Sequence, residues 1–120
     1  MKGSMLGGAL LAVVLGTGQV QAQELDLSKC AFPAAPAIPD GSTATEEQMA
    51  DAGGAVRAFI GETEAGLACL ESARTAHGGE LTEEQQKAFN GTWDTAVDAM
   101  NAVANGYNQE VREYKAANPG

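Results

Sequence analysis

Apolar residues recur with helical spacing in two long segments of the chain, and polar residues fill the positions between them. The first stripe consists of Met49, Gly53, Val56, Ile60, Thr63, Leu67 and Leu70. The second stripe consists of Trp93, Val97, Met100, Ala104, Tyr107, Val111 and Tyr114. A stripe that returns after four and then three residues keeps one helix face against a partner helix. The pattern therefore predicts two amphipathic helices that pack together along their length.

Each predicted helix begins at the same tetrapeptide, Thr-Glu-Glu-Gln, which occurs at 45–48 and at 82–85. In such a capping box, the threonine oxygen accepts from the amide three residues later, and the glutamine side chain accepts from the threonine amide. Both glutamates then lie in the first turn, where the helix dipole favours negative charge. The glycines of His77–Glu80 are typical of a helix end. Gly53-Gly54 and Asn90-Gly91 leave open a kink or a late start of the second helix.

These signals predict an all-α fold, an antiparallel two-helix hairpin over residues 45–120. The helices are expected at about 46–76 and 83–116. The expected core is small, because two helices alone bury little apolar surface.

Residues 1–22 have the three-part layout of a secretory signal peptide. Met1-Lys2 gives a short positive start, Met5–Leu15 is mostly apolar, and a more polar stretch with small residues ends at Ala22. The apolar run is too short to cross a bilayer, which disfavours an uncleaved membrane anchor. We therefore expect a periplasmic or secreted protein whose mature chain begins at Gln23.

Residues 23–44 are expected to form an extended, proline-rich strap. Proline recurs at every third position from Pro33 to Pro39, which suits a polyproline-type conformation and excludes helix. Asp40-Gly41 then turns the chain into the first helix cap. The strap is expected to lie antiparallel along the first helix and to cover part of it with Phe32 and Ile38.

The chain contains two cysteines, Cys30 in the strap and Cys69 late in the first predicted helix. An isolated pair in an exported protein favours a disulfide. From Cys30 to Thr45 an extended strap spans about 46 Å. From Thr45 to Cys69 the helix spans about 36 Å, so the strap is long enough to reach. A redox pair usually has two intervening residues and a structural zinc site four ligands, so both alternatives are disfavoured.

The net negative charge of the chain disfavours nucleic acid as a partner. All 16 acidic residues lie beyond residue 22, against six basic ones, which gives the expected mature chain a net charge of −10. The basic residues are scattered and form no stripe: Lys29, Arg57, Arg74, Lys87, Arg112 and Lys115. Such a chain repels phosphate backbones, so we expect no nucleic-acid partner. No segment of the expected mature chain is apolar enough to span a membrane.

Motifs for catalysis or cofactor binding do not appear. The sequence has no nucleophile elbow, no phosphate-binding glycine loop and no haem-attachment motif. His77 stands alone in the predicted connection. Two groups of glutamates suggest the hypothesis of a metal site with carboxylate ligands: Glu62, Glu64 and Glu71, and the pair Glu110 and Glu113. Di-iron bundles pair glutamate with a histidine three residues later, which this chain lacks. We therefore expect a solvated acidic face, with no catalytic residue, metal or cofactor.

Three stretches of the sequence resemble a family of small exported bacterial proteins of unassigned function. They are CAFPAAPAIPDGSTAT, LACLES and FNGTWDTAVDAMNAVANGYNQEVREYKA, and the resemblance covers nearly all of the expected mature chain. The shared pattern positions are Cys30, Pro33, Pro36, Pro39, Asp40, Gly41, Cys69, Asn101, Tyr107, Asn108, Arg112 and Tyr114. The resemblance implies two long helices after a cysteine- and proline-containing strap. It gives none of these positions a biochemical role.

The expected function is non-enzymatic, because no acid, base and nucleophile converge in the pattern. One hypothesis is a protein-interaction or envelope-associated module, with an unidentified envelope protein as partner. A second copy is the other partner considered, in a homodimer that forms a four-helix bundle. The alternative hypothesis is a small-molecule or metal-ion binder with an inter-helix cavity beside Trp93.

Overall fold

The computed structural model describes residues 25–120, so the predicted signal peptide and the expected mature start lie outside them. The described residues form two helices, α1 (Glu46–His77) and α2 (Glu83–Ala117), and no strand. The predicted all-α helical hairpin is confirmed, and each helix ends one residue later than expected. Both helices are continuous through their internal glycines, and α2 begins at Glu83, so the late start does not occur.

Local hydrogen bonds begin and end the helices as the sequence predicts. The Gln48 amide donates to Thr45 Oγ1 at 3.1 Å, and the Thr45 amide donates to Gln48 Oε1 at 2.8 Å. The same pair of bonds forms at Thr82, with lengths of 3.1 and 2.9 Å. Helix α1 ends at Gly78, whose φ of 76° is left-handed and favours glycine. Capping side chains therefore set the start of both helices, and a left-handed glycine sets the end of α1.

The helices pack through two clusters of buried apolar side chains. The connection-end cluster consists of Leu67, Leu70, Phe89 and Ala96. The far-end cluster consists of Val56, Phe59 and Val103. Because residues late in α1 meet residues early in α2, and the reverse holds at the other end, the helices are antiparallel.

A hydrogen bond joins the open end of the hairpin. The Tyr107 hydroxyl of α2 donates to the Met49 carbonyl of α1 at 3.3 Å. The carbonyl lies in the first turns of α1, so this bond ties the start of one helix to the later part of the other.

Two Asp-x-Ser turns lie at the ends of the described part of the strap, residues 25–44. Asp26 Oδ1 accepts from the Ser28 hydroxyl at 2.6 Å and from its amide at 3.0 Å. Asp40 makes the same two bonds with Ser42, at 2.7 and 3.0 Å. In each turn the serine hydroxyl, followed by the serine amide, lowers the pKa of the aspartate by stabilising its charged form.

The strap touches both helices, whereas the sequence placed it along the first helix. The Gly41 amide donates to Glu110 Oε1 of α2 at 2.7 Å, and a Cβ at Gly41 would overlap the Glu110 backbone carbonyl. Ile38 packs against the far-end cluster, to which both helices contribute. Phe32 packs against the connection-end cluster and covers Gly66 of α1. The strap therefore follows the seam between the helices.

Gly66→Ala is expected to lower the free energy of unfolding by about 1–3 kcal/mol, the usual cost of overpacking. A Cβ atom at Gly66 would lie 2.5 Å from the Phe32 ring, closer than real contacts allow. The matched control is Gly61→Ala in the same helix, where a Cβ meets nothing within 4 Å. Helix propensity alone makes the control more stable by about 0.5–1 kcal/mol. Urea unfolding followed by circular dichroism measures both, and equal stabilisation of the two variants would contradict the contact.

Candidate functional site

A disulfide joins the strap to α1. Cys30 and Cys69 are bonded through sulfur, with Cα atoms 5.5 Å apart, within the ordinary range for a disulfide. Cys69 lies between Leu67 and Leu70, the two α1 members of the connection-end cluster, and Cys30 itself packs against that cluster. The bond holds the strap against α1 just before Phe32 and Pro33.

An open groove of about 590 Å³ lies between the strap and the two helices. Phe32 and Pro33 form its strap side, and Phe59 and Thr63 form its α1 side. The α2 side runs from Lys87 to Ala99. Three separate segments thus enclose one concave surface, with a volume in the range of small-molecule sites.

The groove exists because α2 presents small side chains along one face. Ala88, Gly91, Thr95 and Ala99 recur every three or four residues and all line the groove. A Cβ at Gly91 would meet nothing within 4 Å. The small residues therefore leave a space that larger side chains would fill.

Trp93 does not line this groove. Its ring stacks on Phe89 with centroids 5.9 Å apart, and it packs against the connection-end cluster. The Arg74 guanidinium lies 4.7 Å from the centre of the Phe89 ring and pairs with Glu71 at 2.8 Å. The aromatic pair and its cation stabilise the packing near the connection. The groove is therefore distinct from the predicted cavity beside Trp93.

Thr63 is the one buried polar side chain among the described residues, at 2% exposure. Its Oγ1 has no hydrogen-bond partner in the described part of the chain. A buried hydroxyl without a partner costs about 1–3 kcal/mol. Thr63 lies between the two clusters along α1 and contributes to the groove wall. In the sequence Thr63 is one position of the apolar stripe, and no local pattern signals an unpaired hydroxyl.

An acidic cluster forms where the strap meets α2. Carboxylate oxygens of Asp40, Glu110 and Glu113 lie within 4.8 Å of one another. In the sequence, Glu110 and Glu113 stand out only as a pair on one helix. Hydrogen bonds already engage two of the groups, since Asp40 holds Ser42 and Glu110 holds Gly41. The cluster thus serves as the junction between the strap and α2.

The other residues considered from the sequence lie apart from the groove. His77, predicted in the connection, is instead the last residue of α1, with Nδ1 3.3 Å from the Gly79 carbonyl oxygen. Glu62 and Glu64 are exposed on α1. Within residues 25–120, neither helix is long and apolar enough to cross a bilayer.

No family model, curated protein or solved structure matches this chain. The resemblance noted in the sequence therefore stays a prediction.

Replacing both cysteines (Cys30→Ser with Cys69→Ser) is expected to lower the free energy of unfolding by about 4 kcal/mol. That is the chain-entropy value for the 39-residue separation of the pair. Urea unfolding with and without reductant measures the loss. Reductant should destabilise the natural chain to the same extent and leave the double variant unchanged. Two titratable thiols in the unreduced protein would contradict the bond.

Proposed function

We propose that this is an exported, non-enzymatic binding protein that holds a small, mainly apolar molecule in the groove. The single observation that carries the proposal is the groove itself, a concave surface of about 590 Å³ enclosed by the strap, α1 and α2. A surface of this size and apolar character is the usual form of a small-molecule site.

Rigidity of the groove walls supports the proposal. Phe32 and Pro33 on the strap side follow the disulfide directly, and Phe32 is packed against α1 at Gly66. The other walls are continuous helices. Walls that are held before binding lose little conformational entropy when a ligand arrives, which favours affinity.

The chemistry of the lining supports a binding role over a catalytic one. Along residues 25–120, the groove is lined by apolar residues, three threonines and Lys87, with no carboxylate, imidazole or thiol. General acid–base catalysis uses such groups within reach of a bound substrate. The lining can hold a molecule, and it offers no pair of groups for proton transfer.

Two features support export. A disulfide between Cys30 and Cys69 is stable in oxidising compartments and rare in the cytosol. The first 22 residues have a signal-peptide layout. The periplasm or the medium is therefore the proposed location.

Gly91→Leu is expected to weaken binding of the neutral fluorophore N-phenyl-1-naphthylamine by about tenfold or more. A Cβ at this position meets nothing within 4 Å, so the leucine side chain is expected to extend into the groove and reduce its volume. The matched control is Gly61→Leu, which is equally open and lies outside the groove lining. Fluorescence titration gives the dissociation constants, and circular dichroism checks the helix content of both variants. Equal affinity in the two variants, or no binding by the natural chain, would contradict the proposal.

A second candidate function is self-association through the helices. Several apolar side chains are only half-buried in the single chain: Ile60, Val97, Met100, Val111 and Tyr114. A second copy that covered them would form a four-helix bundle. Sedimentation equilibrium at micromolar concentration is expected to give the mass of a dimer, and a monomer there would count against this candidate.

A further inference from the structure

We infer that Thr63 selects the ligand, and that the ligand is a neutral, mainly apolar molecule with one hydroxyl or carbonyl oxygen. The inference rests on the proposed function, because it assigns the chemistry of the same groove. Its starting point is the juxtaposition of an apolar wall with a buried hydroxyl that has no partner among residues 25–120.

The position of Thr63 separates it from an ordinary core residue. Its neighbours one turn away, Phe59 and Leu67, are apolar and buried, one in each cluster. Valine has nearly the same shape as threonine and would complete this apolar stripe without leaving a polar atom unpaired. A bound molecule that forms a hydrogen bond with this hydroxyl would offset the cost of burying it.

Rotation about χ1 is the route by which the hydroxyl would reach the groove. The oxygen is shielded from solvent, whereas the Thr63 side chain contributes to the wall. Threonine in a helix divides between two χ1 rotamers, and changing rotamer moves the oxygen by one staggered position. A ligand with a hydrogen-bonding oxygen favours the rotamer that points toward it. The threonine hydroxyl both donates and accepts, so an alcohol or a carbonyl compound satisfies it.

The charge of the surroundings favours a neutral ligand. No charged group of the groove lining is buried, since Lys87 is exposed. A charged ligand group placed beside Thr63 would lose water without gaining an opposite charge, which is costly. The chain also carries a net charge of −9, which disfavours anions in its vicinity.

The experiment compares probes that share one apolar chain and differ in the polar group: 1-octanol, octanoate and octylammonium. Amide NMR titrations of the natural chain, Thr63→Val and Thr75→Val give dissociation constants for each probe. Thr75 is the matched control, because it lies in the same helix as Thr63, is exposed and lies outside the groove lining. We expect 1-octanol to bind most tightly and to shift the amides next to Thr63. Thr63→Val should weaken it about fivefold, the effect of one neutral hydrogen bond, and Thr75→Val should leave it unchanged.

A thermal melt separates this role from a structural one. Without ligand, Thr63→Val is expected to raise the melting temperature, because an unpaired hydroxyl is removed. If the hydroxyl instead bonds the Phe59 carbonyl one turn back, the substitution leaves the melting temperature unchanged or lowers it. That result, together with unchanged octanol affinity, would overturn the inference.

Two other outcomes test the inferred class of ligand separately from the binding function of the groove. Tighter binding of octanoate, lost in Lys87→Gln, would overturn the neutral class and leave the binding function in place. If 1-octanol did not displace bound N-phenyl-1-naphthylamine, the inferred ligand class would also be overturned, and the binding function would stay in place. Failure of every probe, the fluorophore included, would overturn both the inference and the proposed function.

Discussion

The contact between the strap and the two-helix seam is the interaction on which the rest of the structure depends. Two helices alone bury few apolar side chains, and here they bury them in two clusters. The strap adds Leu27, Phe32 and Ile38 to those clusters and is held at one end by the disulfide. At its other end Gly41 packs directly on the backbone of α2 and donates to Glu110. A segment without helix or strand thus supplies the third side of a small core.

Close approach explains why glycine occupies the contact points. At Gly66 the Phe32 ring takes the space of a side chain, and at Gly41 the α2 backbone does so. Inside a helix glycine costs about 1 kcal/mol relative to alanine, so helix propensity alone argues against Gly66. The packing of Phe32 against Gly66 outweighs this propensity cost, so glycine is favoured over alanine at this position. By contrast, the space beside Gly61 is open, and this position shows the propensity cost without the packing gain.

The sequence predicted what local interactions determine. Apolar spacing and two capping boxes gave both helices to within one residue at each end, because these signals act over three or four positions. The groove was not predictable in this way. It depends on which small residues of α2 come opposite the strap, and on a glycine–glutamate bond that spans 69 residues. That Thr63 lacks a partner depends on every element around it, so it appears only in three dimensions.

The groove and the core compete for the same length of the hairpin. Between the two clusters, Thr63 of α1 and Ala99 of α2 occupy positions where larger apolar side chains would extend the clusters toward each other. Each such replacement would add burial worth roughly 1–3 kcal/mol. The chain gives up that stability in one place and regains about 4 kcal/mol from the disulfide beside it. The disulfide thus offsets the stability that the gap costs. The proposed binding role requires this balance in so small a core, because it needs an open groove beside a strap that is held in place.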